Sequence, residues 1–480
     1  MSITNADRST PKPAASPPVP SRRPVIGMHE QASFGLWSLI DLHADDVQTT
    51  VTCVYTNPAP SGAGDFAAVV ATFTANLPSF LSHLFFLTGR IATNPASGLL
   101  EVRCHNQGAE LVVAEVGVTG SLDWGNAGAS LNKIQLPYAA EVVMSVQLLS
   151  FACGGFAVVW ATNHLLGDDH IAVVLLRSWS ELALTGTFAG GLNLDRSVLS
   201  RPRSPPMYSA AVDGMFVPWD HEHEVNPLTA EASFVERLYF VEAADIARLR
   251  EEATAGGGKA RATSVQAVSA YLWKKLAAVV SSSASIAKSD TAARRCSMGY
   301  WVDLRWRVRS PELRRTLSGY VGNATTYVER EEAADAVLRK PLGVVAAMVR
   351  EAIAAVDYDE RLQETVDWLE AHRPRSYTER AAVGLGSPTL HQTVWASFPC
   401  EAADFGFGAA ALVLATSAND RMCSAYLCVG RQPGGDAWIV SAYVWPRLAA
   451  ALENDRRRVF KPLTAEFLGL TGEMRRGLAL

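Results

Sequence analysis

Residues 156–184 read FAVVWATNHLLGDDHIAVVLLRSWSELAL, and the fold prediction starts from this stretch. The segment 156–162 is almost entirely apolar and predicts a buried strand. Residues 170–184 carry apolar side chains at helical spacing and predict a helix. The polar segment NHLLGDD, residues 163–169, therefore lies where a core strand ends and a helix begins. Catalytic groups are often held at such points on a rigid scaffold.

Strand and helix patterns continue on both sides of this unit. The N-terminal half predicts a helix at 66–84 and strands at 99–104 and 110–114. Residues 191–232 contain five prolines and lose regular periodicity, which indicates a long crossover. The C-terminal half predicts strands at 234–241, 296–304, 410–416, 422–430 and 437–444, and helices at 243–252, at 264–279 and, as a pair interrupted near Pro341, at 331–370. Mixed elements in both halves predict an α/β fold of the mixed α+β kind.

Length and charge limit the classes of protein to consider. A chain of 480 residues predicts two or three domains, at roughly 100–200 residues each. With 43 basic and 48 acidic residues, the net charge is −5. Because binding to a nucleic-acid backbone requires a basic excess, we expect no nucleic-acid partner.

The N-terminal segment, the apolar runs and the cysteines together predict the cellular compartment. The first 27 residues are polar and Pro-rich and predict a disordered tail rather than a secretory signal. No apolar run of about 18 residues is present, so we expect no membrane span. The seven cysteines are scattered and form no CxxC motif, which favours buried thiols in a reducing compartment. We therefore expect a cytoplasmic protein with neither a disulfide framework nor a structural zinc site.

His164 and Asp168 form an H-x-x-x-D pattern within the polar turn. So short a pattern is weak alone, and from its spacing alone a polar loop that caps the following helix is the favoured explanation. Its position favours chemistry, because an imidazole between a buried strand and an apolar helix is costly without a purpose or a partner.

A second pattern, DFGFG, occupies residues 404–408, shortly after TVW at 393–395. Gly406 and Gly408 suggest a tight backbone path, although an ordinary turn is the alternative. Trp395 is of a residue type that usually packs in a core, but its indole N–H could also reach an oxyanion.

Other motifs carry less weight. The cluster DHEHE at 220–224 has the residue types of a metal site, but its Pro-punctuated context favours a solvated loop. The GGGK turn at 256–259 lacks the spacing of a P-loop. The chain contains neither G-x-S-x-G nor G-x-G-x-x-G, which disfavours an α/β-hydrolase and a dinucleotide-binding fold.

Together these motifs resemble those of the plant BAHD acyltransferases, which use acyl-CoA donors. HLLGD at 164–168 matches the family's HxxxD, and DFGFG at 404–408 matches its DFGWG with Phe in place of Trp. LTGR at 87–90, VDLRWR at 302–307 and GYVGNA at 319–324 resemble the stretches PLAGR, VDGRSR and GYFGNA. The two main motifs in this order are far more specific than either alone.

The resemblance implies two domains of the chloramphenicol-acetyltransferase type, each a mixed sheet with flanking helices, and an active-site channel between them. The implied division is a disordered tail at 1–27, an N-terminal domain with HxxxD at 28–190, the crossover at 191–232, and a C-terminal domain with DFGFG at 233–480. The resemblance also implies a monomer that binds an acyl-CoA co-substrate and a small-molecule acceptor. It implies no bound cofactor or metal and no membrane partner.

The implied reaction is direct acyl transfer from a CoA thioester to a hydroxyl or amine of a small plant metabolite. His164 would act as general base, and no acyl-enzyme is needed. The Trp395 N–H and the Thr393 hydroxyl would be the candidate oxyanion donors.

Two carboxylates have alternative roles. Asp168 could orient His164 as in a catalytic triad, but the resemblance implies that it pairs with Arg305 as structural support. Asp404 could be a second proton acceptor, but we expect it to be structural, supported by the turn that Gly406 and Gly408 form.

The remaining expectations concern CoA and two departures from the family. Lys259 and Ser264 are weak candidates for binding CoA phosphates, and Ser264 could also cap the helix that begins there. Asp169 stands where the family has Gly, and Phe407 where it has Trp. These departures motivate an alternative, a catalytically silent member that acts as an accessory or interaction protein.

Overall fold

A computed structural model describes most of the chain. The described residues are 21–25, 32–35, 48–55, 66–96, 98, 100–115, 139, 141–151, 155–188, 190–195, 201–218, 225–231, 233–255, 260–283, 294–373, 377–395, 403–418, 424–464 and 467. Within these ranges no helix is both long enough and apolar enough to cross a membrane.

The strands, in chain order, are β1 (Ser21–Val25), β2 (Ala32–Gly35), β3 (Gln48–Tyr55), β4 (Arg90–Thr93), β5 (Leu100–Cys104), β6 (Ala109–Glu115), β7 (Met144–Ser150), β8 (Phe156–Asn163), β9 (Phe216–Pro218), β10 (Val235–Val241), β11 (Arg295–Asp303), β12 (Thr325–Ala333), β13 (Tyr377–Glu379), β14 (Thr389–Val394), β15 (Leu412–Ala418), β16 (Ala425–Arg431), β17 (Trp438–Val444) and β18 (Lys461–Pro462). The α-helices are Phe66–His83, Asp169–Thr185, Ala210–Asp213, Pro227–Glu231, Ala243–Ala255, Ser264–Ser282, Pro311–Leu317, Ala334–Arg339, Leu342–Ala354, Tyr358–His372 and Pro446–Glu453.

Two mixed sheets organise the described part of the molecule. The first has the order β1-β6-β7-β8-β3-β15, in which only β6 and β7 are parallel. The second has the order β12-β11-β14-β16-β17-β10-β18, in which β14 runs parallel to both of its neighbours. Each half of the chain thus contributes a mixed sheet, which confirms the predicted fold class.

The sheets are not separated strictly by sequence. β15, from the C-terminal half, pairs antiparallel with β3 and completes the edge of the first sheet. Because β15 and β16 are close in sequence but lie in different sheets, the chain after DFGFG ties the two halves together.

Strand β8 is apolar from Phe156 to Ala161 because both of its faces are buried. Val158 and Trp160 pack with the helices Phe66–His83 and Asp169–Thr185 in one core. Ala157 and Val159, on the opposite face, join a second core with residues of β10 and β17. A strand covered on both faces reads as a continuous apolar run rather than an alternating one.

Several local predictions differ from the structure. Residues 21–25 form an edge strand on β6, although disorder was predicted for 1–27, and an edge tolerates Pro24. Residues 331–333 continue strand β12 before the helices begin. Thr263, not Ser264, caps the helix Ser264–Ser282, because its side chain accepts from Gln266 N in a capping box.

Gly89 gives a stability prediction for the LTGR motif. A Cβ at this position would lie 2.3 Å from a side-chain atom of Val102 and 2.9 Å from the backbone oxygen of Arg103. Because the backbone contact has little room to move, Gly89→Ala should lower the free energy of unfolding by about 1–3 kcal/mol. The measurement is chemical denaturation. Gly430→Ala is the matched control, since its nearest contact is 3.5 Å; equal stability of both variants would contradict this packing.

Candidate active site

The turn after β8 fixes His164 between strand and helix. Asn163 holds the turn, because its Oδ1 accepts from Leu165 N at 2.9 Å and its backbone oxygen accepts from Leu166 N at 3.0 Å. Asp168 then caps the helix Asp169–Thr185 and accepts from Ile171 N. The imidazole is therefore attached to a short turn that is fixed at both ends.

Asp168 is held by the other half of the chain. Its Oδ2 accepts from Arg305 Nη1 at 2.8 Å and from Ala324 N at 2.7 Å, and both charged side chains are 3% exposed. Arg305 Nη2 donates to the backbone oxygens of Tyr320 and Gly322. The contact between Asp168 and Arg305 that the resemblance implied is thus present. These bonds direct the carboxylate toward the VDLRWR and GYVGNA segments.

A second polar contact holds the backbone of the turn. Asn323 Nδ2 donates to the backbone oxygen of His164 at 2.8 Å. Asn323 lies inside the GYVGNA stretch, and no role was predicted for it. The signal available was an amide side chain among small and aromatic residues, which is not specific to one contact.

Next to this cluster, His170 faces Asp303. His170 Nδ1 lies 3.6 Å from Asp303 Oδ2. Burial lowers the pKa of His170 to about 4, and the Arg305 charge acts in the same direction. Burial raises the pKa of Asp303 to about 6, against the effect of Arg305. His170 is therefore neutral at pH 7, and the contact carries little ion-pair character.

The His164 ring lies partly buried at the junction of the two halves. Its Nδ1 is buried and has no hydrogen-bond partner within the described residues. Asp168 does not fill that role, because its described hydrogen bonds go to Arg305 and to backbone N–H groups.

The side chains of Thr393 and Trp395 donate hydrogen bonds to the same atom of Asp169. Thr393 Oγ1 and Trp395 Nε1 each donate to Asp169 Oδ2 at 2.7 Å. Thr393 belongs to β14, and the Trp395 backbone N–H extends the pairing toward β16 by donating to Val429 O. The structure thus brings both candidate donors together with Asp169. This contact was not predicted, because the only signal in the sequence was an Asp where the family has Gly.

The electrostatics of Asp169 reflect this position. Burial raises the pKa of its carboxyl above the ordinary range, while the charge of His164 and the hydrogen bond from Thr393 act in the opposite direction. The Asp169 carboxylate and its two donors therefore form one polar group, at the start of the helix that follows the turn carrying His164.

Asp404 lies elsewhere. Its Oδ1 accepts from Gly406 N at 2.8 Å and from Gly408 N at 3.0 Å, and its backbone N–H donates to Ser180 Oγ at 3.2 Å. Gly406 and Gly408 have φ of 94° and 88°, values that favour glycine. Ser180 lies about 16 Å along the helix from Asp169, at about 1.5 Å rise per residue. The carboxylate thus closes its own turn, far from His164.

The two aromatic residues of DFGFG anchor the same turn. Phe405 is buried and packs against Phe73 and Trp179 with ring centroids 5.1 and 5.2 Å apart. Phe407 stacks on Phe73 and meets Phe156 edge-on. Phe at the position of the family Trp therefore still fills the core between helix and sheet.

Of the residues predicted to bind CoA or a metal, the structure describes only Ser264. Ser264 is the first residue of the helix Ser264–Ser282 and is partly buried. Lys259 and the DHEHE cluster at 220–224 lie outside the described residues. Within the described part, no three His, Cys, Asp or Glu side chains gather in a way that could hold a metal ion.

A family model described as the Transferase family matches residues 29–455. The chain belongs to this family, the BAHD acyltransferases. Membership makes the chain an acyltransferase with acyl-CoA as its co-substrate. The resemblance noted in the sequence is thereby confirmed.

Known relatives support the assignment. The chain is 29% identical over 298 residues to "Acyltransferase GLAUCE" of Arabidopsis thaliana, a match that covers 60% of this chain and 64% of that protein, just under two thirds of its length. It is 28% identical over 397 residues to "Putrescine hydroxycinnamoyltransferase 1" of Oryza sativa subsp. japonica, covering 78% of this chain and 83% of that protein.

The fold also has a solved counterpart. The crystal structure of F. graminearum TRI101 complexed with coenzyme A and T-2 mycotoxin matches with a TM-score of 0.71 at 15% identity. The match covers 90% of this chain and 100% of that one. At this level of identity, the likeness shows that the two chains share a fold.

The geometry of Asp404 predicts a structural effect on mutation. Asp404→Ala removes the acceptor of two backbone N–H groups and should lower the free energy of unfolding by about 1–3 kcal/mol. Activity per folded molecule should change much less. The measurements are denaturant unfolding and specific activity corrected for the folded fraction. A variant that melts like the wild type but is inactive would instead make Asp404 a catalytic residue.

Proposed function

We propose that this BAHD acyltransferase transfers an acyl group from a CoA thioester to a hydroxyl or amine of a small plant metabolite, with His164 as general base. The observation that carries the proposal is the convergence of Thr393 and Trp395 on Asp169 Oδ2, at the start of the helix that follows the turn carrying His164. A base and two convergent donors are the parts that direct attack on a thioester needs.

The steps follow from those parts. The acceptor oxygen or nitrogen attacks the thioester carbonyl carbon while its proton passes to the neutral imidazole of His164. The carbonyl electron pair moves onto oxygen, where the Thr393 hydroxyl and the Trp395 N–H can donate to it. The tetrahedral intermediate then collapses, the carbon–sulfur bond breaks, and the departing thiolate takes the proton from His164. The products are the ester or amide and free CoA.

The ion pair between Asp168 and Arg305 supports this chemistry without taking part in it. It joins the turn that carries His164 to the half that carries Thr393 and Trp395. Base and donors therefore keep their relative positions, and such pre-organisation lowers the cost of reaching the transition state. The proposal gives Asp404 a structural role of the same kind, at the DFGFG turn.

The name of one relative indicates a class of acceptor. The rice relative is named for transfer to putrescine, an amine. The proposal therefore includes amine acceptors beside alcohols, and a matrix of acyl-CoA donors against both acceptor classes would identify the substrate pair.

One observation favours a second candidate function. Asp169 Oδ2 occupies both oxyanion donors, which fits a catalytically silent member that works as an accessory or interaction protein. CoA release from a panel of acyl-CoA donors and acceptors distinguishes the two functions. A folded wild-type protein that turns over none of them would establish the silent role.

His164→Ala should lower kcat by about 10²–10⁴-fold, because general-base catalysis contributes that much. The melting temperature should stay near that of the wild type, since the side chain is partly exposed and makes no described hydrogen bond. The measurement is CoA release beside a thermal melt. His105→Ala, at an exposed histidine, is the matched control and should keep full activity. Near-normal turnover in folded His164→Ala would remove this residue from the mechanism.

The pH profile offers a separate test. At subsaturating substrate the rate should fall as the pH is lowered, because an imidazolium cannot accept the proton of the acceptor. The residual rate of His164→Ala should lose this dependence on the acid side. The measurement is kcat/KM from pH 5 to 8 for both proteins. The same acid-side fall in both would assign the titration to another group.

A further inference from the structure

The donors proposed for the oxyanion already hold an anion in the protein itself. Thr393 Oγ1 and Trp395 Nε1 both lie 2.7 Å from the same carboxylate oxygen, Asp169 Oδ2. Donors that serve an oxyanion are expected about 2.7–3.1 Å from its position. A carboxylate oxygen resembles a tetrahedral oxyanion in charge and size, so Asp169 Oδ2 occupies the point where the thioester oxygen would develop its charge.

This carboxylate is not part of an ordinary ion pair. Its neighbour Asp168 is paired with Arg305 at 2.8 Å. Within the described residues, no Lys or Arg nitrogen lies within 4.0 Å of Asp169. The two groups that donate to the Asp169 carboxylate, the Thr393 hydroxyl and the Trp395 N–H, are both neutral.

We propose that Asp169 is a built-in occupant of the oxyanion site, whose carboxylate must leave Thr393 and Trp395, or become neutral, before acyl transfer can proceed. The inference rests on the proposed function. Two negative charges in contact repel strongly in a partly buried site, so the anionic carboxylate and the developing oxyanion exclude each other. Asp169 therefore limits kcat while keeping the two donors in their reactive arrangement in the resting enzyme.

Two variants test this proposal. Asp169→Gly removes the carboxylate from the Thr393 and Trp395 donors, and Asp169→Asn keeps the shape of the side chain but removes its charge. Because one oxyanion donor is worth about 10²–10³-fold in kcat, release of both in Asp169→Gly should raise kcat by roughly tenfold or more, with little change in the KM for the donor. Asp169→Asn leaves a neutral amide oxygen on the same two donors, so its gain in kcat should be smaller. Glu181→Gln removes a carboxylate about 18 Å further along the same helix and should leave kcat unchanged.

The acceptor class separates this role from substrate recognition. The oxyanion forms on the acyl donor whichever acceptor attacks, so kcat should rise by the same factor with an alcohol and with an amine. A loss confined to amine acceptors would instead assign Asp169 to the binding of an ammonium group and overturn the proposal.

A second mutation tests the occupancy by Asp169 through a change in kcat that a purely structural role of Asp169 would not produce. In the Asp169→Gly background, Trp395→Phe should lower kcat by about 10²-fold, whereas in the wild type its effect should be smaller because the indole N–H is already engaged. Equal effects in both backgrounds would contradict occupancy. A parallel fall of kcat and melting temperature in both Asp169 variants would make the residue a support of the helix N-terminus only.

The indole signal tests occupancy without turnover. In ¹⁵N-Trp-labelled protein free of acyl-CoA, the Trp395 N–H resonance, assigned with Trp395→Phe, should move upfield in Asp169→Gly as its bond to the carboxylate is lost. An unchanged resonance would overturn the proposal directly. If the wild type turns over but the Asp169 variants gain nothing, this inference fails alone. If none of the proteins turns over any acyl-CoA, the proposed function fails as well, and with it the rate-limiting role.

Discussion

The buried ion pair between Asp168 and Arg305 is the constraint on which the candidate site depends. Two charges removed from water are tolerated only when they are paired and their remaining hydrogen-bonding groups are satisfied. Here Asp168 also accepts from Ala324 N, and Arg305 Nη2 donates to the backbone oxygens of Tyr320 and Gly322, so that Nε is the one guanidinium nitrogen without a hydrogen-bond partner among the described residues. Separating the two halves would strand both charges, so the pair ties the turn that carries His164 to the opposite half.

From this junction the rest of the site takes its geometry. The helix that Asp168 caps begins with Asp169. The ion pair between Asp168 and Arg305 therefore also restricts the position of the Asp169 carboxylate. This carboxylate reaches the end of β14, where Thr393 and Trp395 approach it from the other half. Three carboxylates thus have three environments: Asp168 faces a guanidinium, Asp169 faces neutral donors, and Asp404 faces the backbone of its own turn. Residue type alone would not have separated them.

Much of this could be predicted from local pattern. The continuous apolar run of β8, the helical spacing of the helix Asp169–Thr185 and the spacing of HLLGD and DFGFG lie within short windows of sequence. The glycines of DFGFG indicated a tight backbone path, and both have positive φ. Predictions that depended on pairing partners distant in sequence were weaker. The strand at 21–25 exists because β6 offers it an edge, and the sequence of a Pro-rich segment carries no sign of that.

The mixed α/β fold, the family and the position of His164 at a strand end were all predictable from the sequence, because periodicity and motif order are local properties of the chain. Which side chains come into contact depends instead on long-range folding. Asp169 and Trp395 are far apart in sequence, and their contact depends on how two halves dock rather than on either local pattern. Hydrogen bonds form between groups that packing brings within about 3 Å, so the occupancy of the two donors became visible only in three dimensions.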